Sequence, residues 1–320
     1  MPVDAQWLRK LRDVVGVDSY DDGVDDPARA EQLRLWEAQD DEWGIPDPVV
    51  VRDTSVPGPH GPVPVRVYES TAGVPTAAVL WMHGGGYVGG DLDMPEGNAV
   101  SAELAARTGA TVVSVDYRLA VDGVHYPVPL DDVIAAWEWL VEHRTALRVS
   151  GPLLIGGASA GAGLAAGAVA RLRDEGGHQA DGVLLAYPGL HFPLPPLAEA
   201  VSDEMRDFPK VARLQYETAV ALQRNWAGRL HDMPVYAVPG NGSLADLPPV
   251  HVVICEYDDL RSSGEVLVAQ LEEAGVEVSV HRAEGMLHGH LNRVPGPTFP
   301  EVGRSIDFFA EGIRTTTSRS

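Results

Sequence analysis

The spacing of apolar and polar residues changes period several times along this chain, and each change marks an element. Residues 63–70, VPVRVYES, alternate with period two, as a strand with one buried face does. TAAVLWMH (76–83), ATVVSVDY (110–117), GPLLIGG (151–157), GVLLAYP (182–188) and PVHVVICEY (249–257) are short apolar runs, the pattern of strands buried on both faces. VEVSVHRA (276–283) adds another strand. Between these runs the period lengthens to that of a helix, over 95–108, 129–143, Ala160 to about Glu175, 262–274 and a closing segment near 302–314. The helix over 129–143 opens with Pro129 and the acidic pair Asp131 and Asp132, as helix N-termini prefer. Strands alternating with helices predict an α/β fold whose parallel, doubly wound sheet is covered on both faces.

Two regions break the alternation. Residues 1–48 and 190–245 mix helix-like stretches (ARAEQLRLWEAQ, KVARLQYETAVALQRNWAG) with Pro-rich connections such as HFPLPPL. A connection of some fifty residues between strands must carry structure of its own. Both regions are therefore expected to build a lid over one edge of the sheet. This gives an N-terminal cap segment 1–48, a core in two parts, 49–189 and 246–313, a cap insertion 190–245, and a frayed tail, 314–320. The aromatics Trp36, Trp43, Phe192, Phe208, Tyr216 and Trp226 of the cap are candidates for a pocket wall, although their spacing suits lid packing as well.

Composition adds little to the fold and something to the function. The 320 residues are 45% hydrophobic and 22% charged, ordinary values for a soluble globular chain. A formal net charge of −22 argues against nucleic acid or an anionic membrane as partner. The single cysteine, Cys255, excludes an internal disulfide and suits a reducing compartment, so the expected location is the cytoplasm. Neither a signal peptide nor an apolar run of transmembrane length is read from the sequence.

The chemistry concentrates in four places. Gly157-Ala158-Ser159-Ala160-Gly161 matches G-x-S-x-G between a strand and a helix, the context of a nucleophile elbow. Gly161 to Ala166 also satisfy a relaxed dinucleotide fingerprint. That motif should follow the first strand directly, with a carboxylate ending the next, and neither condition holds. A serine nucleophile needs a base and a carboxylate to orient it. Asp258 follows one apolar strand and His288 follows another, in the chain order Ser, Asp, His, with Asp259 and His290 as competing neighbours. Upstream, HGGGYVGG (83–90) places glycines after a strand, where bare backbone N–H groups can meet an oxyanion. Gly84, Gly85, Gly86 and Ala160 are assigned to the oxyanion hole, with Gly84 allowing the turn and the other three donating. His83 is read as a loop anchor, and Tyr87 as a substrate contact.

With these motifs the chain resembles the α/β-hydrolase superfamily, and within it the hormone-sensitive-lipase-like bacterial esterases. The resemblance covers roughly residues 50 to 310 and rests on HGGGYVGG (83–90), VDYRLA (115–120), GASAG (157–161), LPPVHVVICEYDDLRSSGE (247–265) and GMLHGH (285–290). It implies an α/β-hydrolase fold of about eight mostly parallel strands with a helical cap. It also implies Ser159 as nucleophile, Asp258 as acid and His288 as base. The implied activity is hydrolysis of short-chain acyl or small aromatic esters, without metal or cofactor, on a small-molecule substrate. An amidase, a lactonase or a non-catalytic receptor of the same fold are the alternatives. The family's habit of dimerising through an edge strand makes a homodimer an expectation. The chain departs from the family at Ala158, where an acidic residue is common, at YRLAVDG for YRLAPE, at DDLRSSGE for DPLRDE, and at His290, where an apolar residue is typical.

Overall fold

The computed structural model describes residues 3–319. Its strands are β1 (Val49–Val56), β2 (Val63–Ser70), β3 (Ala78–Met82), β4 (Thr111–Val115), β5 (Leu153–Ala158), β6 (Gly182–Ala186), β7 (Val250–Tyr257) and β8 (Val278–Leu287). They form an eight-stranded sheet in the order β1-β2-β4-β3-β5-β6-β7-β8. The pairs from β4 to β8 are parallel, while β1–β2 and β2–β4 are antiparallel. The helices are α1 (Ala5–Asp13), α2 (Pro27–Glu37), α3 (Asn98–Thr108), α4 (Val128–His143), α5 (Ala160–Glu175), α6 (Glu199–Glu204), α7 (Tyr216–Ala227), α8 (Arg261–Glu273) and α9 (Pro300–Arg319).

Every residue of β3, β4, β5 and β6 is buried, which is why these strands read as unbroken apolar runs. One face of the sheet packs Leu130 and Val133 of α4, Leu164 of α5 and Leu267 of α8 into a core. The other packs Leu104 of α3, Ile306 and Phe309 of α9, and Trp7 and Leu33 from the N-terminal helices. The α/β class, the mostly parallel sheet and its two covered faces follow the expectation from the sequence.

Two features differ from it. Strand β1 was not foreseen, because only its terminal residues Val49 and Val56 are buried and no apolar alternation marks it. Its pairing comes instead from eight consecutive partners along β2. The segment 314–320 is not a frayed tail: α9 continues to Arg319, and Ser320 lies outside the described residues. The last turns are held by Thr316 Oγ1 and Thr317 Oγ1, which donate to the carbonyls of Gly312 and Ile313 at 2.9 Å each. Arg319 then pairs with Glu277 on the strand side.

Residues 3–48 fold as α1, a short 3-10 turn and α2, and 190–245 as α6, α7 and two further 3-10 turns. Trp7 of α1 packs on Phe299 with ring centroids 4.9 Å apart, and its indole N–H reaches Met286 Sδ at 3.3 Å. Arg293 lies over both Trp7 and Trp36 and donates to the Trp36 carbonyl at 2.5 Å. The N-terminal helices are thereby fastened to the chain that follows β8.

Candidate active site

Parallel strands β3, β5, β7 and β8 all end on one side of the sheet, and the loops leaving them converge there. Ser159 is the residue between β5 and α5, at φ 52° and ψ −112°, a conformation that side chains rarely adopt. Such a turn points the side chain out of the sheet edge and is the geometry of a nucleophile elbow. It closes only with small neighbours, since a Cβ on Gly161 would stand 2.3 Å from the Met82 carbonyl oxygen. That contact also explains the apparent dinucleotide fingerprint: its first glycine faces β3 and no ligand cavity.

Ser159 Oγ lies 2.9 Å from His288 Nε2, and His288 Nδ1 lies 2.8 Å from Asp258 Oδ2. An ionised carboxylate only accepts, so Nδ1 carries the imidazole proton and Nε2 presents its lone pair to the serine hydroxyl. The second oxygen of Asp258 accepts the Leu260 N–H at 2.8 Å, and the side chain is 1% exposed. Burial pulls the pKa of His288 down, but the charge and hydrogen bond of Asp258, with Glu96 and Asp259 behind it, outweigh this and raise it above its ordinary value.

The competing neighbours have other partners. Asp259 forms a paired ion contact with Arg213, with 2.5 Å between Oδ1 and the nearer guanidinium nitrogen. His290 is fully buried, 3.2 Å from Cys255 Sγ through Nδ1 and 2.9 Å from Ser305 Oγ through Nε2. Burial drives the His290 pKa down to about 3 and pushes the Cys255 thiol far up, so neither is charged near neutrality. The departure at His290 thus fills a closed polar niche near His288.

Gly85 and Gly86 have positive φ, 106° and 62°. The Gly85 carbonyl accepts the N–H groups of Val88 and Gly89, closing the loop. The amides of Gly85 and Gly86 meet no acceptor among the described residues, and that of Ala160, first in α5, is an orphan by helix geometry. Gly84 differs: its N–H donates to Glu96 Oε2 at 2.8 Å, so it shapes the turn and offers nothing to an oxyanion. His83 is buried, with Nδ1 donating to the Gly84 carbonyl at 2.7 Å and its ring stacked on Tyr117. It holds the loop and does not reach Ser159.

A narrow cleft of about 30 Å³ opens beside Ser159, walled by Gly86, Tyr87, Ala160, Leu214, Leu222 and Leu260 among others. Tyr87 borders it, with its ring stacked on Trp226 at 4.7 Å. The six cap aromatics do not line this cleft. Trp36 packs on Trp7, Trp43 donates to Glu103, Phe208 faces Tyr257, Phe192 lies under Arg224, Tyr216 is exposed, and Trp226 backs Tyr87. Its leucines are Leu214 and Leu222 of the segment 190–245 and Leu260 after β7, and none carries a distinguishing pattern in sequence. Glu96 was likewise missed, being one acidic residue in a polar turn. Among the described residues no three His, Cys, Asp or Glu side chains gather as a metal site, and no helix is long and apolar enough to cross a membrane.

Comparison with known proteins gives a consistent result. A family model described as alpha/beta hydrolase fold matches residues 79–292. The chain is 36% identical over 284 residues to esterase LipI of Mycobacterium tuberculosis, covering 85% of this chain and 83% of that one. It is 32% identical over 285 residues to an ethyl acetate hydrolase of Pseudomonas putida, covering 84% and 83%. The solved hyperthermophilic esterase from the archaeon Pyrobaculum calidifontis superimposes with a TM-score of 0.80 at 27% identity, covering 98% of this chain and 99% of that one.

Proposed function

The chain belongs to the α/β-hydrolase family, in its hormone-sensitive-lipase-like branch, and is a carboxylic-ester hydrolase; from that premise we propose that Ser159, His288 and Asp258 carry out the reaction on short-chain acyl or small aromatic esters. The observation that carries this reading is the unbroken relay from Ser159 Oγ through His288 to Asp258, at 2.9 and 2.8 Å. His288 Nε2 takes the hydroxyl proton as Oγ attacks the ester carbonyl, and Asp258 stabilises the imidazolium that forms. The tetrahedral oxyanion is received by the free amides of Gly85, Gly86 and Ala160, each donor worth roughly 3 kcal/mol of barrier. His288 then protonates the leaving alcohol, and a water, deprotonated by the same nitrogen, releases the acyl group.

The size and apolarity of the cleft support small substrates. Leu222 Cδ1 would stand 2.8 Å from a Cβ on Gly86, so the cap leucine rests directly on the oxyanion loop and shortens the space beside Ser159. A p-nitrophenyl ester series from acetate to decanoate tests the reading, with Ser159→Ala as control. Turnover is expected to be fastest on the short chains and absent in the variant. Full activity in Ser159→Ala, or a preference for decanoate, contradicts it.

A further inference from the structure

Glu96 is a buried carboxylate, 1% exposed, that the reaction scheme above leaves without a role. It sits between the two halves of the machinery. One oxygen, Oε2, accepts the Gly84 N–H at 2.8 Å at the root of the oxyanion loop. The other, Oε1, accepts the Tyr187 hydroxyl at 2.5 Å. Tyr187 follows β6 at φ 39° and presents its ring edge-on to His288, with centroids 5.0 Å apart. The backbone of Glu96 is itself anchored, its carbonyl accepting the Trp81 indole N–H of β3 at 2.7 Å.

Packing leaves this brace no slack. A Cβ on Gly84 would lie 2.4 Å from Glu96 Oε2 and 3.2 Å from the Ser159 Cβ, so the glycine is held between the carboxylate and the nucleophile. Burial raises the pKa of Glu96, while the hydrogen bonds its oxygens accept from Tyr187 and Gly84 and the nearby His288 pull the other way; neither contact calls for a proton on Glu96, and the ionised form satisfies every donor in reach. A buried anion at this point costs desolvation, whereas an apolar residue would leave the Gly84 amide and the Tyr187 hydroxyl without acceptors, so the neutral isostere against which the charge is weighed is glutamine. The placement calls for a function of the charge.

Resting on the triad and oxyanion hole proposed above, we propose that Glu96 is a positioning residue that fixes the oxyanion loop through Gly84 and, through Tyr187, holds and polarises the general base. Its first task is geometric: the amides of Gly85 and Gly86 follow directly from the peptide it pins. Its second is electrostatic. The titratable groups facing it are Tyr187, Tyr117, Cys255 and His288, and those facing His288 are Asp258, Tyr187, Glu96, Asp259 and His290. Of the three carboxylates around the base, Asp258 touches it and Asp259 is neutralised by Arg213, which leaves Glu96 as the remote charge on the imidazolium.

The test compares Glu96→Gln, Glu96→Ala and Ser159→Ala with the wild-type enzyme on p-nitrophenyl butyrate, following kcat, KM, the pH profile of kcat/KM, and the thermal melt. Glutamine keeps the acceptor for Gly84 and removes the charge. It is expected to melt like wild type, to keep kcat within about tenfold, and to move the acid limb of kcat/KM to lower pH. Alanine leaves the Gly84 amide and the Tyr187 hydroxyl without acceptors. It is expected to lose about 10²-fold in kcat with KM little changed, because an oxyanion loop acts in the transition state. A glutamine variant with the wild-type acid limb and kcat overturns the proposal, whether or not the alanine variant folds. Loss of activity in Ser159→Ala alongside that result confines the failure to Glu96, whereas activity surviving in Ser159→Ala removes the reading on which it rests.

Discussion

Replacing Asp258 by asparagine isolates what the carboxylate does for the base. The two side chains have the same shape, so packing at this buried position is kept. Their hydrogen bonding differs in a way the surroundings dictate. Asp258 Oδ1 accepts the Leu260 N–H at 2.8 Å, an acceptor role that only the amide oxygen of asparagine can take. The amide NH2 is then turned toward His288 Nδ1, where Oδ2 stands at 2.8 Å in the native site. A donor facing Nδ1 forces the neutral imidazole to carry its proton on Nε2, and that proton points at Ser159 Oγ. The base is lost without any atom moving far. Asp259 does not substitute, because Arg213 holds it through two contacts. The expected loss in kcat is of order 10⁴-fold, about 5 kcal/mol of barrier, as befits a base in the wrong tautomer. Steady-state hydrolysis of p-nitrophenyl butyrate measures it, with a thermal melt to show that the fold is intact. A folded variant within tenfold of wild type would refute the assignment of Asp258.

Three further outcomes follow from the same geometry. Gly85→Ala places a methyl where the Gly89 carbonyl oxygen lies 2.1 Å away, on a residue at φ 106°, so the loop must shift; kcat is expected to drop about 10²- to 10³-fold, and an unchanged kcat would clear Gly85 of any oxyanion role. Leu222→Ala opens the cleft beside Gly86, and the ratio of kcat/KM for octanoate over butyrate is expected to rise at least tenfold, about the discrimination of one or two methylenes in an apolar pocket; a constant ratio places the chain elsewhere. The raised pKa of His288 keeps the imidazole protonated to higher pH, so kcat/KM should decline on acidification with a midpoint above the ordinary 6.5, and a midpoint below 6.5 contradicts the site. The same shift stabilises the protonated fold: its contribution is complete below 6.5 and disappears as pH rises through the folded-state value.

What the sequence revealed of this site was set by backbone constraint. The elbow at Ser159 and the loop at Gly85 need unusual dihedrals and close approach, and such needs leave small residues in the chain where they can be read. The placement of Asp258 just beyond β7 was readable for a related reason, since that strand is an apolar run that stops, whereas β8 mixes polar and apolar residues and runs to Leu287, past the expected end at Ala283 and directly up to His288. The choice between Asp258 and Asp259 was weaker evidence in one dimension, and it is the Arg213 pairing, from a residue 46 positions away, that separates them. Strand β1 and the last turns of α9 were hidden because partners elsewhere, β2 and Glu277, supply what local pattern does not.

The unread part of the site has a common character. Glu96 meets Tyr187 across 91 residues, and Leu222 meets the oxyanion loop from the far side of the cap insertion. Neither contact constrains a backbone dihedral, so neither leaves a trace at its own position; each is a matter of which side chain fills a space made by others. The two classes should therefore respond differently to substitution. The glycines fixed by backbone geometry, such as Gly85 and Gly161, leave no room for a Cβ, and a change there acts on kcat through the loop itself. Positions fixed by side-chain reach tolerate replacement of similar volume, and a change there acts through charge at Glu96 or through substrate size at Leu222. On the proposed reading, the chemistry lies at the strand ends of the sheet and selectivity at residues of the segment 190–245 such as Leu222, which stands beside Ser159.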